Sequence, residues 1–441
     1  MKSFTIEAAR ALGGPDWLAG RRLAAAETLS TVSWPTAAEE IWRYSRIGEL
    51  DLDRYRPFAE DELGRAGDER APGGGPWAAE AGSHAGMLVV RDGRVVHHEL
   101  DPALEAKGVR VCGLATCDAD EVRELLGAAS HTSEDAFTVM HDAFLAGGAF
   151  VRVPDGVVVE DPILVLHWCE GDGRASFPHT LVSLGEHAEA TVLDRFGSPE
   201  TDHLVDAVTE LLVGDAAHLR YLSIQQHGSR TWHVGLQRAL VGRDAVLRTS
   251  AVALGGDYAR LRSETVLQGE RGESDQLAVY FADHTQMLDF RTLQDHDAPR
   301  TRSELLFKGA VEDQARSVYS GLVRLRPSAQ RANAFQTNRN LVLSEGASAE
   351  SIPNLEIEAN DVKCSHASTV GPIDDDQLYY LESRGIPPDD AERLIVLGFF
   401  DDVLERLPVS ALSRGLRRSV VDKLEHRGAA GGDAYEAHGR G

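Results

Sequence analysis

The chain has 441 residues, with 45 Lys and Arg against 70 Asp and Glu, a formal net charge of −25. That balance excludes a nucleic-acid-binding surface as its main business, since phosphate recognition relies on clustered Lys and Arg and only five of the basic residues are Lys. There is no apolar run long enough to span a membrane and only four cysteines, too few for a disulfide scaffold, so the expectation is a cytoplasmic chain with free thiols and no signal peptide.

Residues 1–60 read as helical with one interruption. Thr36 ahead of AAEEIWRYSRIGEL, with Glu39 three residues on, fits a capping box, and Trp42 and Tyr44 bring aromatic mass near Ile41 and Ile47. Residues 60–85 are rich in Gly, Ala and charge, and Gly73-Gly74-Gly75-Pro76 predicts a loop rather than a helix. In MLVVRDGRVVHHEL two apolar runs flank Asp92-Gly93, a hairpin signal. His97 and His98 fall on opposite faces of its second strand and make a poor chelate. Asp118 or Asp120 caps EVRELLGAA, and Ser133 caps SEDAFTVMHDAFLAGG, which stops at Gly147-Gly148.

From about 151 to 370 the chain becomes short apolar runs broken by Gly, Asp, Asn and Ser. Segments 181–193, 211–222, 239–250 and 266–277 share one pattern: an apolar pair, a Gly, polar residues, a small residue, then alternating apolar and polar positions. The small residues are Ala188, Ala217, Ala245 and Gly272, at spacings of 29, 28 and 27. A period in the twenties enclosing period-2 strands predicts a β-solenoid whose turns bury each other; a Greek-key sandwich is the alternative. After Ile373 helices return. DDDQLYYLESRG has acids at its start and Gly385 past its end. The next helix starts at Pro387-Pro388 and carries Ala391, Leu394, Ile395, Gly398 and Phe399 as one stripe. A third covers about 408–425. The expected organisation is a mostly helical N-terminal domain over 1–150 with a linker near 60–85, a solenoid over 151–372, a helical domain over 373–427 and a disordered tail over 428–441.

The chain has no GxxxxGK[ST], CxxC, HExxH or GxSxG motif. The segment SIPNLEIEANDVKCSHASTVG stands out. On an extended strand Cys364 and His366 share a face with Cα atoms ~7 Å apart, within reach of one soft or borderline metal such as iron. Lys363 points the other way. Two donors do not complete a metal site, so a packed Cys beside a hydrogen-bonded His, or a Cys–His nucleophile pair, stay open. Cys112, Cys117 and Cys169 read as buried thiols. Glu356 and Glu358 on one strand face raise a further alternative, a β-helix enzyme cleaving acidic sugars with paired carboxylates.

The same segment resembles the SufD family of iron–sulfur cluster assembly proteins over roughly residues 303–408. The resemblance is carried by Phe335-Gln336-Thr337-Asn338-Arg339-Asn340, the run IPNLEIEANDVKCSH and the turn SRGI. Weaker similarity lies in EEIWRYSRIGEL and residues 135–167. The sister SufB family typically has His-Glu-Ala where this chain has Cys364-Ser365-His366, which favours SufD. Ala367 stands where many relatives have Gly, and His141 where Asn is commoner. The resemblance implies a mainly β protein with helical ends, a right-handed parallel β-helix flanked by N- and C-terminal helical domains. It implies a non-enzymatic scaffold subunit of a SufB–SufC–SufD complex, pairing with a SufB-like chain and docking the SufC ATPase through its C-terminal helices. A transient iron–sulfur cluster would form at the junction, with His366 as ligand and Cys364 as ligand or neighbour. A purely architectural adaptor for the ATPase is the alternative. A flavin is associated with such complexes, but no residue here locates it, and a homodimer of the isolated chain is left open.

Overall fold

The computed structural model describes residues 2–59, 62, 74–129 and 135–425. Past Ile163 the alternating apolar pattern forms strands, most of them 8 to 11 residues long, that go in turn to two sheets. From His203 on, each strand pairs in parallel with the one two places earlier: Thr231–Val241 with His203–Val213, and Val246–Ala253 with His218–Gln226. Glu189 faces His218, His218 faces Val246 and Val246 faces Glu273. These offsets of 29, 28 and 27 residues equal the sequence period, so the repeat is one turn of a parallel β-helix. Parallel pairing excludes the Greek-key alternative, which needs antiparallel neighbours.

The corners explain the pattern. His187, Ala216, Asp244 and Arg271 adopt left-handed backbone, with φ of 58, 55, 56 and 62°. Each is followed by the recurrent small residue, and Ala188, Ala217 and Ala245 are fully buried where one corner stacks on the next. At Gly269 a Cβ would overlap the backbone of Gly242 and Arg243 in the turn below, so only Gly fits there. Between the sheets Val192, Leu219 and Leu247 meet Val213, Val241 and Leu267 in one apolar cluster.

Helices cover the outside. Asp16–Leu29 and Ala136–Phe144 form an apolar cluster with Trp42, Trp232, Tyr258 and Met287. At the other end of the sequence Asp375–Ser383, Pro388–Leu404 and Ser413–Glu425 run back along the solenoid. Phe400, Val403, Leu416 and Val420 meet Leu222, Ile224, Val252 and Phe281 there. Two lysines pin them: Lys308 Nζ donates to Phe399 O at 2.9 Å and to Asp402 Oδ2 at 2.8 Å, and Lys423 Nζ to Asp283 Oδ1 at 2.6 Å. Among the described residues no helix is long and apolar enough to cross a membrane.

Several sequence expectations need correction. The capping-box helix after Thr36 does not form. The Thr36 amide does donate to Glu39 Oε1 at 2.8 Å, but the segment settles into the 3-10 turns Glu40–Trp42, Ile47–Glu49 and Leu52–Arg54. Tyr44, at φ 65°, breaks any longer helix. Trp42 is buried there, whereas Tyr44 is exposed. The loop expected at Gly73–Pro76 gives way to the helix Gly74–Ala81. Pro76 falls in its first turn, where backbone amides have no intrahelical partner to lose. Asp135, not Ser133, caps Ala136–Phe144; Ser133, half of the 60–85 linker and the tail 428–441 lie outside the described residues. The stripe on Pro388–Leu404 is shifted: Ala391, Val396, Phe400, Val403 and Leu404 are buried, while Leu394 is exposed. The third helix starts at Ser413 after a 3-10 turn at Ser410–Leu412. Cys112 and Cys117 are not separate buried thiols: they are half-exposed and joined as a disulfide across a tight turn, with Cα atoms 6.0 Å apart. Asp92 and Gly93, at φ 51 and 89°, make the predicted hairpin turn between Gly86–Arg91 and Arg94–Leu100.

Candidate functional site

Among the described residues, the last strand of each sheet, Ser348–Ile357 and Lys363–Gly371, has a paired neighbour on one side only. Both are mostly exposed or half-buried along their length, whereas interior strands are largely buried. The solenoid therefore ends on two free edges, with Ile357 47% and Val370 43% exposed. Natural sheets seldom leave such edges without a cover or a partner.

Cys364 and His366 lie on the second of these strands, in register with Ala334 and Gln336 of Asn333–Val342. Cys364 is half-buried against Val323, Leu325, Ala332, Ala334 and Leu355. That burial pushes its thiol pKa up, so a metal would have to displace its proton. His366 is exposed. Two places further on, Ser368 Oγ donates to Ser351 Oγ at 2.7 Å, which ties the two terminal strands together. Cys364 and His366 thus offer one sulfur and one nitrogen at an open edge. Two donors cannot hold a cluster, so further ligands must come from outside these two residues.

Sequence reasoning missed what the Phe335–Asn340 motif does. Gln336, Asn338 and Asn340 point into the interior at 1, 0 and 3% exposure, while Phe335 faces out at 41%. Asn340 Nδ2 donates to Asn338 Oδ1 at 2.8 Å, Asn338 Nδ2 to Tyr280 Oη at 3.0 Å, and Tyr280 Oη to Asn340 Oδ1 at 2.6 Å. Gln336 differs: both its amide atoms are buried without a hydrogen-bond partner among the described residues. It sits in space that Gly321 leaves open by having no Cβ, immediately inside His366. The alternation of polar residues in FQTNRN was the available signal.

Among the described residues, the remaining candidates do not join Cys364 and His366 in one site. Glu356 is paired with Arg324 Nε at 2.8 Å, and Glu358 lies past the end of its strand, so the two carboxylates do not form an acid/base pair on one face. Cys169 is buried, as expected. His141 is fully buried, with Nδ1 2.9 Å from Asp206 O and Nε2 3.0 Å from His179 Nδ1. Burial pushes its pKa well down.

Comparison with known proteins agrees with this architecture. Residues 167–399 match the family described as SUF system FeS cluster assembly, SufBD core domain. An iron–sulfur cluster assembly SufBD family protein of Mycobacterium tuberculosis is 37% identical over 285 residues, 62% of this chain and 70% of that one. SufD of Bacillus subtilis is 30% identical over 348 residues, 77% and 79% of the two chains. SufD of Escherichia coli is 28% identical over 399 residues, 89% of each. The chain belongs to the SufB/SufD superfamily, is SufD-like within it, and has its role in iron–sulfur cluster assembly by the SUF system.

Proposed function

We propose that this chain is the non-catalytic SufD-type subunit of a SufB–SufC–SufD complex. The observation that carries the reading is the pair of free edges at Ser348–Ile357 and Lys363–Gly371, with the Cys364–His366 donors on one of them. A second parallel β-helix ending in the same way would continue both sheets through main-chain hydrogen bonds. It would bring its own donors beside Cys364 and His366, so that a nascent iron–sulfur cluster is held as transient cargo between the chains. His366 is the direct ligand, and Cys364 a ligand or its apolar support. The C-terminal helices are the docking surface for a SufC-like ATPase, presenting Tyr379, Tyr380 and Leu394 at 73, 56 and 49% exposure. ATP hydrolysis then belongs to that partner, since this sequence has no P-loop. In the proposed division a helical N-terminal domain ends near 150 and the C-terminal helical domain begins near 373. The isolated chain would pair its edges with a second copy.

The apolar packing of Cys364 favours a second reading, in which the chain is only an architectural adaptor for the ATPase. Val370→Lys separates edge pairing from both. Lysine on an exposed edge opposes strand addition, so the variant is expected to lose the SufB-like chain and keep the ATPase. Unchanged capture of the SufB-like chain would contradict the edge-pairing assignment.

A further inference from the structure

At the opposite end of the solenoid the hairpin turn places a carboxyl group inside the protein. Asp92 is 4% exposed, and its Oδ1 accepts from Glu170 N at 3.0 Å and lies 3.4 Å from Ser176 Oγ. Cys169, just past the strand Ile163–Trp168, is 1% exposed. His203, the first residue of His203–Val213, is fully buried. One ligand atom from each of Asp92, Cys169 and His203 lies within 4.8 Å of those of the other two.

We propose that Asp92, Cys169 and His203 bind one borderline divalent transition-metal ion, of the zinc(II) or iron(II) class, with the Ser176 hydroxyl beside it. The histidine is already set for ligation. Its Nδ1 lies 3.0 Å from Gly171 O, and a carbonyl only accepts, so Nδ1 carries the proton. The lone pair is then on Nε2, which faces Ser176 Oγ at 2.9 Å. A backbone carbonyl fixing the tautomer behind a ligating imidazole is the usual outer-shell arrangement at metal sites.

Charge points the same way. A divalent ion bound to one thiolate, one carboxylate and a neutral imidazole makes a site of zero net charge, with the thiol and carboxyl protons released to solvent. Arg91 Nε stands 3.7 Å from Asp92 Oδ2, but its guanidinium is also engaged with Glu170. A sulfur, nitrogen and oxygen donor set suits zinc or iron(II) rather than calcium or magnesium, which take oxygen. The cluster is seven strand spacings from the Cys364 strand, roughly 34 Å at ~4.8 Å each, so this ion is resident and separate from the cargo. It would lock the hairpin onto the first turns of the solenoid.

Cobalt(II) is the probe, added without oxygen to the full-length chain carrying Cys364→Ser and His366→Ala, which removes the edge donors. The expected result is one cobalt per chain with a thiolate-to-cobalt charge-transfer band, displaced by zinc. Cys169→Ser is expected to abolish the band. Asp92→Asn keeps the turn, because Asn adopts left-handed backbone readily, and is expected to weaken binding by about ten-fold or more. Circular dichroism of each metal-free variant checks its fold. No cobalt uptake, a band that survives Cys169→Ser, or unchanged affinity in a folded Asp92→Asn variant would each overturn the proposal.

Discussion

Gln336→Met is the substitution that best separates stability from function at the open end. Gln336 is 1% exposed, and among the described residues both its amide atoms lack a partner. A buried polar group left in that state costs about 1–3 kcal/mol. Methionine has a similar length and no amide, and it fills irregular space readily, so the isolated chain should gain about 1–2 kcal/mol, the lower part of that range. Since 1.4 kcal/mol is tenfold in an equilibrium, amide exchange along Asn333–Val342 and Lys363–Gly371 should slow about ten-fold, with little change in the distant turns. The same substitution should lower cluster loading in the assembled complex, because it removes an amide donor and acceptor in register with His366. Faster exchange in the variant would refute the reasoning: it would mean the amide is satisfied, for example by a buried water.

Two further outcomes are expected. Lys308→Met removes an ammonium that donates to Phe399 O and Asp402 Oδ2; with Asp402 partly exposed, a loss of about 2 kcal/mol follows. It should speed exchange in Pro388–Leu404 and Ser413–Glu425 roughly 30-fold while sparing the sheets, and equal effects in both would contradict the pinning role. His233 and His296 are held by burial at about 4. An imidazole whose folded pKa is depressed binds its proton more readily when unfolded. Stability is therefore full above about pH 6.5 and falls toward pH 4, by roughly 1.4 kcal/mol per pH unit for each ring. His296→Gln should flatten that acid loss, and a slope equal to the parent's would count against it.

The sequence made the solenoid legible because stacking imposes identical needs on each turn. A Gly that must clear the backbone below, then a small corner residue, recur at the strand register itself. The left-handed residue between them left no mark, because His187, Ala216, Asp244 and Arg271 have nothing in common. The N-terminal region misled because a local capping signal was overridden by tertiary packing: Trp42 turns inward against Phe137, with ring centroids 5.1 Å apart, and the Arg260 guanidinium lies 4.0 Å over the Trp42 ring. The stripe on Pro388–Leu404 was misplaced because both faces of that helix carry apolar residues, and only Phe281 and its neighbours decide which is covered. That Cys364 and His366 share one strand was readable from their period-2 spacing. Gln336 was not, since nothing local says that its amide has no partner. Asp92, Cys169 and His203 are brought together only by the folding of the hairpin onto the first turns.

The central claim is that Cys364 and His366 supply part of a cluster site that another chain completes. Its most direct test is iron and acid-labile sulfide content after anaerobic reconstitution, for the chain alone and for its complex with the SufB-like and SufC-like proteins. The account predicts a cluster only in the complex, lost with His366→Ala while the complex stays intact. Full loading of the His366→Ala complex, or a cluster held by the chain alone, would contradict it.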